Sequence, residues 1–275
     1  MENPHELQSI CLNMAEQTPK VSWSICIRDH DGEVLAGHDA DVSLRTASIG
    51  KLFLLAEVAR RLEDGTIGGN LLLSRSADLG VADSGLWQHL QTDSLAVEDL
   101  AFLIASVSDN LATNVLLTHL GLSEVKALAS SLGLTQTELQ DRVRSSRAPG
   151  DDRTLSVGSA AELSRFMVWV VQNQLVSGAV SAQLRKWLMA NVDLSMVASA
   201  FGLDPLAHMH ADRDWVLWNK TGTDIGIRAD VGTILGPGGS VSYAAIANWT
   251  GEDFRDQILN SMRRLGESIR KRLEG

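Results

Sequence analysis

The sequence predicts an α/β protein: a five-stranded antiparallel sheet flanked by helices, built from both ends of the chain, with an all-helical region inserted between them. Three observations predict it. Strand-like apolar alternation occurs near the N-terminus, at Val21–Arg28 and from Val34, and returns only near the C-terminus, at Trp215–Asn219, Asp230–Leu235 and Val241–Trp249. Residues 65–204 carry almost only helical periodicity. An amphipathic segment from about Phe254 to Leu273 closes the chain as a helix. The expected division is a sheet domain of residues 1–48 and 205–275 around an all-α domain of residues 49–204.

The elements follow in order. Leu7, Ile10, Cys11 and Met14 share one helical face, so the chain opens on a helix. Val21, Trp23, Ile25 and Ile27 then alternate with Ser and Cys, and His30-Asp31-Gly32-Glu33 turns the chain into the second strand. Ile49–Leu62 is helical and ends at Gly65. Val97–Val107, Ala112–Leu120, Ser123–Leu132, Ala160–Gln174 and Ala179–Asn191 are the clearest helices of the insert. An Arg-rich loop, Arg142–Arg153, lies among them. Gly236-Pro237-Gly238-Gly239 is a hairpin turn between the last two strands.

Composition narrows the partners. The chain has 275 residues, with 24 Lys and Arg against 34 Asp and Glu, a net charge of −10 that repels a phosphate backbone. Nucleic acid is excluded as a partner. Apolar residues at 44% and charged residues at 21% suit a packed globular protein. The two cysteines, Cys11 and Cys26, sit in apolar patterns that predict buried thiols, not a disulfide scaffold. The longest apolar stretches, Leu52–Ala56 and Phe166–Val171, are too short to span a bilayer, and Met1-Glu2-Asn3-Pro4-His5-Glu6 shows no secretory signal. The expectation is a cytoplasmic monomer acting on a small molecule, without membrane contact; a processed N-terminus would instead make it secreted.

Three short motifs carry chemistry. Ser48-Ile49-Gly50-Lys51 opens a helix, where three-residue spacing puts hydroxyl and amine on one face within mutual reach. A helix N-terminus favours a developing oxyanion, and a Lys with a depressed pKa can take the Ser proton. The pattern alone is weak, because Ser123–Lys126 repeats it at what reads as a solvated helix start. Ser108-Asp109-Asn110 falls where one helix ends and the next begins; an N-cap cluster would look the same. Lys220-Thr221-Gly222 closes an apolar strand.

In this order and context, the three motifs resemble the serine β-lactamase and penicillin-binding family, most closely the class A β-lactamases. The likeness covers Arg45–Leu62, Val97–Leu132 and Trp218–Gly236, and that family has a β-lactamase/transpeptidase-like α/β two-domain architecture. Class C enzymes place a Tyr-x-Asn where this chain has Ser108-Asp109-Asn110, and its single tyrosine, Tyr243, lies in a late strand. The resemblance implies Ser48 as nucleophile, Lys51 as its base, and Ser108 as proton relay to the leaving nitrogen. It implies Asn110 as holder of the substrate's side-chain amide, and Lys220 and Thr221 as the carboxylate site. The N–H groups of Ser48 and Thr223 would form the oxyanion hole. Arg228 would add a second cation, or else pair with Asp224 or Asp230 at the surface. No cofactor and no metal are implied.

One departure bears on turnover. Class A β-lactamases carry a loop Glu, followed shortly by an Asn, that activates the deacylating water. Here the stretch Asp141–Thr154 keeps an Asp-Arg entry and a Pro-Gly-Asp exit, but its shorter middle holds no acid. Asp141, Asp151, Asp152 and the upstream Glu138 are candidate replacements, though each is more simply an ion-pair partner for Arg142, Arg144, Arg147 or Arg153. A positioned general base is worth about 10²–10⁴ in rate, so deacylation is expected to be impaired. The expected function is therefore acyl-enzyme formation on Ser48 with β-lactams or related carboxylate-bearing amides. A D,D-peptidase-like or small amide or ester hydrolase is the alternative, and a penicillin- or ligand-binding protein without turnover is the second. His208 and His210 read as a loop detail and not a metal site. Arg263-Arg264 and Arg270-Lys271-Arg272 suit the end of a terminal helix, and Trp87 the core.

Overall fold

A computed structural model describes residues 5–81, 83–146, 153–210 and 214–275. Helix α1 (His5–Gln17) leads into β1 (Ser22–Arg28) and β2 (Val34–His38), a hairpin closed by Gly32 at φ 89°. A two-residue strand β3 (Leu44–Arg45) and a 3₁₀ turn, Ala47–Gly50, precede helix α2 (Lys51–Glu63). Next come β4 (Leu72–Ser74), β5 (Ser94–Ala96), α3 (Val97–Val107), α4 (Asn110–Leu120) and α5 (Leu122–Ser131). Short strands β6 (Glu138–Leu139) and β7 (Ser156–Gly158) precede α6 (Ala160–Val171) and α7 (Gly178–Leu188). The chain returns to the sheet through β8 (Val216–Asp224), β9 (Ile227–Gly236) and β10 (Gly239–Asn248), and ends in α8 (Arg255–Glu274).

The main sheet has the order β2-β1-β10-β9-β8 and every pairing is antiparallel. It is the sheet predicted from both termini, and Gly236↔Gly239 closes the expected β9–β10 hairpin. Alternation along the strands gives each face its own core. Trp218, Ala229, Val231, Ala244 and Ile246 pack toward the helical region around Phe53, Phe166 and Trp87. Leu217, Ile234, Tyr243 and Ala245 pack on the opposite side under α1, α8 and the 3₁₀ turn Val197–Phe201.

Trp87 is fully buried and its indole N–H donates to the Thr92 carbonyl, as a core residue should. Cys11 and Cys26 are free buried thiols, and burial pushes the Cys11 thiol up to about 12. No helix of the described residues is long and apolar enough to cross a membrane.

Two details differ from expectation. Residues 65–204 are not purely helical: β4 pairs with β5, while β7 bridges β3 and β6. Strands of two or three residues are too short to display a period-2 pattern. Lys220-Thr221-Gly222 does not close its strand, because β8 runs on to Asp224. The polar residues Thr221, Thr223 and Asp224 conceal that continuation.

Candidate active site

The Ser48 turn, the helix junction and strand β8 meet at one cleft. Ser48 sits in the 3₁₀ turn Ala47–Gly50, directly before α2, at the helix N-terminus the sequence implied. Ala47 holds φ 49°, a left-handed conformation that a residue with a Cβ adopts only under strain from its surroundings. Those surroundings centre on Ser156, which the sequence did not single out. Its buried Oγ donates to the Ala47 carbonyl at 2.6 Å, accepts from the Gly50 amide at 3.2 Å and contacts Thr46 Oγ1 at 2.7 Å. Gly50 packs so closely that a Cβ there would lie 2.4 Å from Ser156 Cβ.

Lys51 is fully buried, and its Nζ reaches the α3–α4 junction. It donates to the Ser108 carbonyl and to Asn110 Oδ1, both at 2.7 Å, and lies 3.1 Å from Ser108 Oγ. The carbonyl and amide oxygens can only accept, whereas a hydroxyl can accept from an ammonium or donate to a free amine. Burial first, and then the Lys220 charge, hold the Lys51 pKa well below its ordinary value, while Asp109 and Asp83 oppose them. Ser48 Oγ makes no hydrogen bond among the described residues, so the expected direct Ser48–Lys51 contact is replaced by one to Ser108.

Ser108 and Asn110 reach the site because the junction is rigid. Ser108 is in the left-handed region at φ 55°, which turns the chain between helices and aims its carbonyl at Lys51. Asp109 caps α4 through Ala112 N, and its Oδ2 accepts from the amides of Leu86 and Trp87 at 2.7 and 2.9 Å. Asp109 is thus the N-cap the triplet also allowed, while Ser108 and Asn110 contact Lys51.

Strand β8 supplies the third wall. Lys220 is fully buried, its Nζ donates to the Thr221 carbonyl at 2.8 Å, and burial lowers its pKa to about 8 against the opposing charges of Asp193 and Asp230. Thr221 and Thr223 line a chamber beside Ser48. The second expected cation does not reach it. Arg228 Nη1 donates to the backbone carbonyls of Ile227 and Asp224, and its guanidinium lies 5.9 Å from the Trp249 ring, in a separate depression. Nor does it pair with Asp230, a buried carboxylate that accepts from Asn219 Nδ2 and the Tyr243 hydroxyl.

The cleft itself, about 560 Å³, is lined by Ser48, Asn110 and Thr223 together with Arg45, Arg144 and Arg153. Of the candidate water-activating acids, neither Asp141 nor Glu138 lines it. Asp141 is buried and bonds the Arg144 guanidinium at 2.7 and 3.1 Å, and Glu138 pairs with Lys126, which also places the second Ser-x-x-Lys outside the site. Asp151 and Asp152, with Arg147, lie outside the described residues. Asp83 and Asp224 are the described carboxylates that line the cleft, and the sequence marked neither as functional. Asp83 stands at φ 91°, and no local pattern in its Asp- and Gly-rich loop predicted that conformation. Asn114, also unmarked, bonds Val143 N and the Val143 carbonyl and ties the Arg-rich loop to α4. His208 contacts the Asp204 carbonyl, and no group of metal-ligating side chains occurs among the described residues.

The model of the Beta-lactamase enzyme family matches residues 6–273, nearly the whole chain. The chain belongs to this family. A β-lactamase of Citrobacter koseri is 32% identical over 146 residues, which covers 51% of this chain and 45% of that relative's length. The chain thus aligns with about half of the curated relative. Its fold is shared with a β-lactamase from Sphaerobacter thermophilus, at TM-score 0.83 and 20% identity over 96% of this chain and 97% of that one. It is shared equally with one from Xanthomonas campestris pv. campestris, at TM-score 0.81 and 21% identity over 99% and 98%. A mutant of PBP-A, solved as an acyl-enzyme complex with penicillin G, superposes at TM-score 0.80 and 20% identity over 98% and 96%. Family and fold are therefore those the motifs implied.

Proposed function

We propose that this protein is a serine acyl-transfer enzyme that opens β-lactams or related carboxylate-bearing amides through an ester on Ser48. The observation that carries the reading is Lys51: a fully buried amine with a depressed pKa, fixed between Ser108 and Asn110, of which Asn110 lines the same cleft as Ser48. As a free amine, Lys51 donates to the Ser108 carbonyl and Asn110 Oδ1 and accepts from the Ser108 hydroxyl. Proton flow then runs from Ser48 toward Lys51, directly or through Ser108, and from Ser108 to the leaving nitrogen. The Ser48 Oγ–C bond forms as the C–N bond breaks. The amides of Ser48 and Thr223 stabilise the oxyanion, and Thr221, backed by Lys220, receives the carboxylate.

Hydrolysis of that ester is the slow half. Asp141 is committed to Arg144, so it is a poor base for water, and the described residues of the loop that Asn114 anchors bring no acid to the cleft. This favours long-lived acylation, and the second reading, a penicillin-binding protein without turnover, rests on the same salt bridge.

Intact-mass spectrometry over time with penicillin G tests both. A persistent adduct absent from Ser48→Ala is the expected result. An adduct that forms and clears with product would place a working base elsewhere, and no adduct with several lactams would refute the substrate class.

A further inference from the structure

Ser48 divides the site in two. On one side lies the large cleft with Asn110. On the other is a chamber of about 180 Å³, lined by Ser108, Thr221, Thr223, Asn191 and Asp193 as well as Ser48. Ser108 and Thr221 make this the leaving-group side in the reading above, and Asp193 is a residue with no part in that reading.

Asp193 is held in place from beneath the sheet. Asn191 Nδ2 donates to the Asp193 carbonyl at 3.1 Å and to Asn219 Oδ1 at 2.8 Å, and Asn219 in turn donates to Asp230. The Asp193 carboxylate is half-buried, and its Oδ1 accepts from Ser195 N and Ser195 Oγ, which leaves Oδ2 without a bond from the described residues. Its field acts on both Lys220 and Arg228, yet no ion pair within 4 Å joins it to either. Lys220 is buried behind the wall, whereas Asp193 is on it. A ligand entering the chamber therefore meets the Asp193 anion directly and feels the Lys220 charge only through the wall that Thr221 forms.

We propose that this chamber selects a leaving group carrying both a carboxylate and an ammonium, with the carboxylate on Thr221, backed by Lys220, and the ammonium on Asp193. A basic amino acid released from its N-acyl amide has this chemistry. Specificity comes from attraction of the ammonium and from repulsion of ligands that bring only negative charge. The proposal rests on the Ser48 reading. In the step itself, Ser48 Oγ bonds to the acyl carbon, the amide C–N bond breaks, and the amino acid leaves with the proton from the Ser48 hydroxyl.

The test compares phenylacetyl amides of lysine, norleucine and glutamate, each as both enantiomers, in single-turnover acylation followed by mass and by amine release. Norleucine matches the lysine chain without its charge. The expected order is lysine, norleucine, glutamate, with about tenfold or more between the first two. In Asp193→Asn that preference collapses, and in the wild type it weakens as salt rises. A lysine-to-norleucine ratio near one, a ratio unmoved by Asp193→Asn, or no reaction with any of these amides overturns the proposal. A fluorophosphonate, which lacks a charged leaving group, separates the two levels. Failure to label Ser48 sinks the parent reading, while labelling without lysine preference sinks only this inference. Labelling of Asp193→Asn also reports whether its nucleophile turn is assembled.

Discussion

Gly222 on β8 lies directly against Thr46: a Cβ at Gly222 would stand 2.2 Å from the Thr46 carbonyl oxygen and 3.3 Å from the Ser48 amide nitrogen. The strand therefore approaches the Ser48 turn backbone to backbone, which only glycine permits. Gly222→Ala forces the turn away from β8 and separates the two amides that would share the oxyanion. The expected cost is about 1–3 kcal/mol of overpacking strain together with a loss of Ser48 acylation by tenfold or more. Thermal unfolding and fluorophosphonate labelling measure the two effects. Unchanged labelling at reduced stability would mean that the turn relaxes without losing its alignment.

Ser156→Ala tests the support on the other side of the turn. The substitution leaves the Ala47 carbonyl and the Gly50 amide without their buried partner. An unsatisfied buried group costs about 1–3 kcal/mol, so a comparable fall in denaturant stability is expected, with slower acylation as Ala47 leaves its strained conformation. Ser156→Thr keeps the hydroxyl and should restore more of the acylation rate than of the stability, since its extra methyl enters a filled space.

Asp109→Asn separates charge from geometry at the helix junction. Asparagine keeps one acceptor for a cap or for the Leu86 and Trp87 amides, but not both sets at full strength. A loss of about 1–2 kcal/mol is expected. The carboxylate also opposes the burial that depresses the Lys51 pKa. Its removal should therefore move the rising limb of the acylation pH profile to lower pH. A profile that stays in place would show that Asp109 acts on Lys51 through position alone.

Much of this arrangement was legible in the sequence because it depends on local patterns. Strand alternation at the two ends and helical periodicity between them fixed the sheet and its insert. The motifs at Ser48, Ser108 and Lys220 carry their chemistry in residue type and spacing. What was hidden depends on tertiary approach. Ser156 is a serine in a three-residue strand, and only the fold brings it under Ala47. Asp83 and Asp193 sit in polar loops where an acid is unremarkable, and their positions beside Ser48 arise from tertiary packing, of α3 on α4 and of α7 on β8. Arg228 shows the converse: the resemblance offered it to the carboxylate site, but its guanidinium turns toward Trp249.

Asp230 should give the fold a measurable pH dependence. It is a fully buried carboxyl on β9, and burial first raises its pKa from 3.8 to about 7, with Asp193 adding to the shift and Asn219, Ala198 and Tyr243 partly offsetting it. The folded state thus binds more protons than the unfolded state between about pH 4 and 7, so stability falls as pH rises through that window. A shift of this size corresponds to roughly 4 kcal/mol at most, at 1.36 kcal/mol per unit. Lys220 acts in a later window. Its pKa falls from 10.5 to about 8, so the unfolded state binds the extra proton and stability rises between those values. Asp230→Asn removes the first dependence and, because the Asp230 charge supports the Lys220 ammonium, starts the second at lower pH. Denaturant midpoints from pH 4 to 10 for wild type and Asp230→Asn should therefore diverge in favour of the variant up to about pH 7, with the later rise beginning earlier in the variant. Parallel curves across the whole range would mean that Asp230 stays ionised in the folded protein, stabilised by its hydrogen bonds to Asn219 and Tyr243.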